Sequence, residues 1–68
     1  MIIKVKYIPN GKKENIEIKI KATGQDILDK LNLAPDAHII SKNGNPIPLD
    51  AELEDGENIE IIQVVSGG

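Results

Sequence analysis

The sequence has no cysteine, no tryptophan and no phenylalanine, and all 8 of its basic residues are lysine. Without cysteine there can be no disulfide framework, no thiolate zinc site and no cysteine nucleophile. His38 is the only histidine, so metal centres and Ser-His or Cys-His catalysis lack the parts they require. Asp50 and Glu52 have no metal-ligand company and read as solvated loop carboxylates. A net charge of −3, the absence of arginine and a single aromatic residue, Tyr7, argue against a nucleic-acid partner. Such a partner needs its phosphates neutralised and its bases stacked. No apolar run approaches the roughly 18 residues that cross a bilayer, and the N-terminus lacks the shape of a signal peptide. The expectation is a cytoplasmic protein that neither binds metal nor spans a membrane.

What is present is one small domain. A chain of 68 residues buries only about 60% of its unfolded surface, so a modest core must suffice. Charge is unevenly spread along it. Lys4, Lys6, Lys12, Lys13, Lys19 and Lys21 crowd the first third, whereas Asp50, Glu52, Glu54, Asp55, Glu57 and Glu60 gather near the end. Such asymmetry keeps a small domain soluble, and it can also steer a partner of opposite sign towards the acidic end.

Residues 2–8 alternate as a strand does, with Ile3, Val5 and Tyr7 on one face and Lys4 and Lys6 on the other. Pro9-Asn10-Gly11 turns the chain, and residues 14–21 alternate again, placing Ile16, Ile18 and Ile20 together on one side. The two runs form an antiparallel hairpin with one buried face. Helical spacing follows: Thr23 stands as a hydroxyl N-cap with Asp26 three residues on, and Ile27, Leu28 and Leu31 share a face. This helix should stop near Asn32, before Pro35.

Residues 38–41 form a short apolar run, and Asn43-Gly44 is a tight-turn signal. It returns the chain into residues 45–49, where Pro46 and Pro48 allow at most an edge strand. His38 reads as structural or surface rather than chemical, because no acid-base partner is adjacent. Residues 50–54 carry Leu53 inward, and Asp55-Gly56-Glu57 turns the chain into a final β-branched strand. On that strand Ile59 and Ile61 lie under the helix. Ile62 and Val64 then fall on the opposite, open face, together with Ile2 and Ile8, where they are either ordinary exposed apolar surface or a docking patch.

After Val65 the character changes: Ser66-Gly67-Gly68 has no apolar side chain to anchor it. Residues 1–65 are therefore expected to form the domain and residues 66–68 a flexible tail. Glycines lack Cβ and can thread a channel too narrow for other residues. A terminal carboxylate beyond them is free to attack the α-phosphate of ATP. The alternative is that the two glycines are incidental.

In this order the segments resemble the β-grasp of ubiquitin-like proteins. They are closest to the small sulfur carriers of thiamine and molybdopterin biosynthesis and to related archaeal modifiers. Asn43-Gly44-Asn45-Pro46-Ile47-Pro48 is similar to the turn and proline-bearing return of the thiamine type. Leu53-Glu54-Asp55-Gly56-Glu57-Asn58-Ile59-Glu60-Ile61-Ile62 is similar to its Leu-x-Asp-Gly-Asp-x-Val-Glu-Ile run, and Ser66-Gly67-Gly68 to its ending. Two features depart from the carriers: the molybdopterin type is richer in phenylalanine, and alanine or glycine often stands at the place of Ser66.

The resemblance implies an α+β fold, a mixed sheet of four to five strands packed on one helix. It implies a protein substrate and not an enzyme. An E1-like adenylating enzyme would activate Gly68 with ATP and magnesium, neither of which this chain would bind itself, and Ser66 and Gly67 would thread its channel. A sulfur donor would convert the carboxylate to a thiocarboxylate for a biosynthetic enzyme or for transfer RNA thiolation. Ile2, Ile8, Ile62 and Val64 would dock the partner, and the free protein would be a monomer. In the modifier branch Gly68 would instead join a lysine of another protein. A third reading is a non-covalent interaction module.

Overall fold

The computed structural model describes residues 1–8 and 10–64. In chain order they form β1 (Ile2–Ile8), β2 (Lys13–Glu17), α1 (Gly24–Lys30), β3 (His38–Lys42), β4 (Asn45–Ile47) and β5 (Asn58–Gln63). The sheet has 5 strands in the order β2-β1-β5-β3-β4. β1 and β5 run parallel at its centre, and the neighbouring pairs are antiparallel. A parallel pair cannot be closed by a tight turn. The crossover between β1 and β5 therefore contains everything else, including the helix that covers one face.

That covered face follows from the alternation. Ile3 and Val5 of β1, Ile16 of β2, Ile40 of β3, and Ile59 and Ile61 of β5 point inward and meet Ile27 and Leu28 of α1. Leu53 joins them from the loop before β5, and Met1, Tyr7, Ile18, Leu31 and Leu33 pack around the cluster. Among the described residues no buried side-chain nitrogen or oxygen lacks a hydrogen-bond partner.

The helix is short and both its ends are closed. Thr23 Oγ1 accepts from the Asp26 N–H at 3.3 Å, and Asp26 Oδ2 accepts from the Thr23 N–H at 2.9 Å. This reciprocal box is the one expected from the sequence. At the other end Asn32 adopts φ 58°. Asn32 N–H donates to Asp29 O at 3.2 Å and Leu33 N–H to Leu28 O at 2.9 Å, the paired bonds of a Schellman ending with asparagine in the glycine position. Gly24 opens the helix where a Cβ would lie 2.7 Å from Ile40 Cδ1, so its missing side chain lets α1 sit close to β3.

Two turns match their sequence signals. Asn43 and Gly44 both take positive φ, 54° and 79°, which a two-residue type I′ hairpin requires. β4 is the sheet edge, as Pro46 demands. In one place the expectation fails. The second strand was expected over residues 14–21 but ends at Glu17, and Ile20, expected beside Ile16 and Ile18, is 76% exposed. Ile18 still exchanges backbone bonds with Met1, at 2.7 and 2.8 Å. The chain then turns: Ala22 N–H donates to Lys19 O at 3.3 Å and Lys21 takes φ 66°. That turn rotates Ile20 away from the core in order to bring Ala22, which is fully buried, under the helix start.

Thr23→Ala removes the box and should lower the unfolding free energy by about 1 kcal/mol, measured by denaturant titration. The Thr23 backbone N–H is the largest influence holding the Asp26 carboxyl below its usual value, against a smaller opposing push from burial. Stability from Asp26 is thus present above the ordinary carboxylate range and is lost as pH falls through its depressed value. Asp26→Asn should flatten that acid limb.

Candidate docking face and tail root

The face of the sheet away from α1 carries the other half of each alternation. On β1 it presents Ile2, Lys4, Lys6 and Ile8, and on β5 Glu60 and Ile62. Pairing registers align them: Ile8 lies opposite Ile62, and Ile62 opposite Ile39 of β3. Three adjacent strands thus set three isoleucines side by side. Ile8 and Ile62 are half-buried and Ile39 is 40% exposed.

Of the four residues expected to dock a partner, the structure joins two directly. Ile8 and Ile62 are cross-strand neighbours. Val64 follows just beyond β5, half-buried, with its N–H bonded to Ala37 O at 2.9 Å. Ile2 is 37% exposed on the same face, but it pairs with Glu17 at the far end of β1. Six residues at about 3.3 Å each separate it from Ile8. Ile39 was missed by the sequence reading. The signal was available: once Ile40 points inward, period 2 turns Ile39 outward. Ser66, Gly67 and Gly68, expected to thread and react, lie outside the described residues, as does Val65.

The structure also relocates the acidic run. Asp55 Oδ1 accepts from the Ile2 N–H at 2.8 Å, Gly56 N–H donates to Ile2 O at 2.7 Å, and Lys4 N–H donates to Glu57 O at 2.9 Å. Residues 54–57 therefore sit where β1 and β5 begin, while Val64 stands where they end. About 20 Å of strand separates the two. Asp55 and Glu57 are therefore remote from Val64, whose backbone partner Ala37 adjoins Asp36.

Both ends are pinned. At the acidic end Lys42 Nζ donates to Glu57 Oε2, and Glu57 Oε1 accepts from the Glu54 N–H at 3.0 Å. Burial pushes the Glu57 carboxyl up, but the Lys42 and Glu54 bonds outweigh it and hold the group below its usual range. At the hairpin end Tyr7 Oη donates to Glu14 Oε2 at 2.8 Å. Burial first, then the bond and charge of Glu14, push the phenol up to about 12. His38 Nδ1 donates to Ala34 O at 2.8 Å, which supports a structural role. Among the described residues no group of three His, Cys, Asp or Glu side chains could hold a metal ion, and no helix is long and apolar enough to cross a membrane.

Comparison with known proteins decides what this architecture is. The ThiS family model matches residues 4–68. The chain belongs to the ThiS family. A protein of Archaeoglobus fulgidus, titled only as uncharacterised, is 31% identical to this ThiS-family chain over 71 residues, covering 100% of both. Among solved structures, the Caldiarchaeum subterraneum ubiquitin superposes with a TM-score of 0.73 at 20% identity, covering 100% of this chain and 98% of that one. SAMP1 from Haloferax volcanii gives a TM-score of 0.73 at 18% identity, covering 100% of both. At these identities the structural likeness establishes the fold, which is the ubiquitin-like β-grasp. The comparisons thus establish the ThiS family and the ubiquitin-like β-grasp fold.

Tyr7 is the only aromatic residue, so its ionisation can be followed alone by ultraviolet absorbance. The midpoint should fall near 12, and Glu14→Gln should move it down towards the ordinary tyrosine value. Because the folded phenol holds its proton more tightly than the unfolded one, its stabilisation is complete below about pH 10 and fades as pH rises through 12.

Proposed function

We propose that this ThiS-family chain is a sulfur carrier that acts as a protein substrate and not as an enzyme. The reacting centre is the carboxylate of Gly68. One of its oxygens attacks the α-phosphate of ATP on an adenylating partner that holds the magnesium, and pyrophosphate leaves. A hydrosulfide-level sulfur from a donor protein then attacks the acyl carbon, AMP leaves, and Gly68 ends as a thiocarboxylate. The product delivers sulfide to a biosynthetic enzyme of the thiamine type or to transfer RNA thiolation.

The observation that carries this reading is the family match, which spans nearly the whole chain and includes Ser66-Gly67-Gly68. The geometry at the root of that stretch supports it. Val64 follows two residues after Ile62, which pairs with Ile8 and Ile39, so an enzyme handling the last residues meets an apolar handhold at the same end of β5. Residues 66–68 serve as the slender approach, and Ile8, Ile62 and Val64, with Ile2 more distantly, form the docking face. The chain works as a cytoplasmic monomer that binds no cofactor of its own.

Intact-mass spectrometry after incubation with the activating enzyme, ATP, magnesium and a sulfur source should show one oxygen replaced by one sulfur. Deleting Gly68 should abolish the gain, and Ile62→Glu should reduce it by tenfold or more through loss of docking, on the order expected for a buried interface contact. No mass gain, together with higher-mass protein conjugates that require Gly67 and Gly68, would assign the chain to the modifiers instead.

A further inference from the structure

The open face has a second half that the isoleucine row does not explain. On it Lys6 lies directly opposite Lys13, Lys4 opposite Asn15 on one side and Asn58 on the other. Like charges facing each other across antiparallel strands are destabilising. The acid best placed to relieve them is Glu60, opposite Lys6 on β5, a single carboxylate against that lysine pair, whose Oε1 also accepts from Ser41 Oγ at 2.9 Å. Glu14, next to Lys13 in sequence, is taken by Tyr7. The carboxylates of residues 54–57 are at the start of the strands, where Asp55 and Glu57 are themselves engaged. Lys4 and Lys13 are exposed and Lys6 half-buried. Together they line a shallow concavity of about 640 Å3, with Asn15, Asn58 and Glu60 completing its floor.

We infer that this lysine concavity, on the same sheet face as the Ile8–Ile62–Ile39 row, receives an acidic segment of a partner protein whose carboxylates meet Lys4, Lys6 and Lys13 while an apolar side chain rests on the isoleucines. The inference rests on the open face being the docking face and is independent of the chemistry at Gly68. It runs against the net charge of −3, which on its own would have the protein attract cations. The local balance differs from the total: Lys4, Lys6 and Lys13 line the concavity with Glu14 and Glu60, whose carboxylates also accept from Tyr7 and Ser41, and the neighbouring Glu57 is paired with Lys42. Nucleic acid is the weaker candidate. Three lysines without arginine or an aromatic platform offer it little, and it has no use for the adjoining isoleucines.

The uniformly nitrogen-15-labelled full chain, titrated with the peptide Glu-Glu-Leu-Glu-Glu and followed by amide shifts, tests this. Shifts should concentrate on β1, β2 and β5 around Lys6, Lys13 and Ile62, and affinity should drop about tenfold from low to physiological salt. The peptide Lys-Lys-Leu-Lys-Lys and a single-stranded oligothymidylate should each bind at least about tenfold more weakly. Lys6→Gln should weaken the acidic peptide roughly threefold with the spectrum otherwise preserved, and Lys6→Glu combined with Lys13→Glu should invert the preference between peptides. Equal binding of the two peptides, tighter binding of the oligonucleotide, or shifts confined to the acidic end would overturn the inference. None of those results bears on the intact-mass assay, so the two readings fail separately.

Discussion

Everything in this domain depends on β1 and β5 lying side by side and pointing the same way. Their inward residues, Ile3 and Val5 against Ile59 and Ile61, are each at most 2% exposed, and the helix rests on them. The parallel sense also fixes the geography of the surface. Two strands that start together must end together, so the loop before β5 closes against Ile2 while Val64 leaves beside Ile8. An antiparallel pair with the same side chains would have buried the same core. It would have set the acidic loop beside Ile8 and Val64 beside Ile2, so that the two ends of β5 would exchange their surroundings.

The helix illustrates how little local stability this arrangement requires. Its 7 residues are well below the 12 to 15 or so that an isolated helix needs to persist in water. It persists because both ends are closed by bonds to its own flanks and because Ile27 and Leu28 are fully buried. Gly24 allows the approach to β3 that makes this burial possible. Capping, close approach and core formation are thus one cooperative event: removing any of them exposes backbone groups that a helix this short cannot satisfy alone. The same logic holds at the acidic loop, where the Lys42–Glu57 pair and the bond from Asp55 to Ile2 tie a stretch of polar chain to the ends of two strands.

Much of this was written in local pattern. The alternation of β1 and β5, the Thr23–Asp26 box, the Asn43-Gly44 turn and the edge position forced by Pro46 are all interactions within a few residues, and each is legible in sequence for that reason. What was not legible is set by distance in sequence. Nothing in the periodicity of residues 16–20 says that the chain must leave the sheet after Ile18, because the cause is the need to bring Ala22 beneath the helix start. The strand order is likewise invisible to periodicity, and with it the fact that residues 54–57 belong beside Ile2. The candidate docking face was half legible for the same reason. Ile8 and Ile62 fall on the open side by parity alone, but that they touch, that Ile39 joins them, and that Ile2 stands a strand's length away are consequences of register.

The size of the apolar row constrains what kind of partner relationship the face can support. Three isoleucines, none of them fully exposed, offer far less than the roughly 800 Å2 per partner of a stable protein interface. Such a patch holds a partner only when something else adds to it, and two contributors adjoin it: the lysine concavity on one side and the chain continuing past Val64 on the other. On the proposed function this weakness is useful. A carrier has to be gripped by an activating enzyme, released, and gripped again by an acceptor, so no single surface should bind strongly alone. Affinity assembled from a small apolar row, a salt-sensitive charged patch and a threaded terminus is high only while all three are engaged. On that proposal, chemistry at Gly68 ends the engagement of the terminus, the remaining two contributors are too small to retain the protein, and it dissociates without any change in the fold.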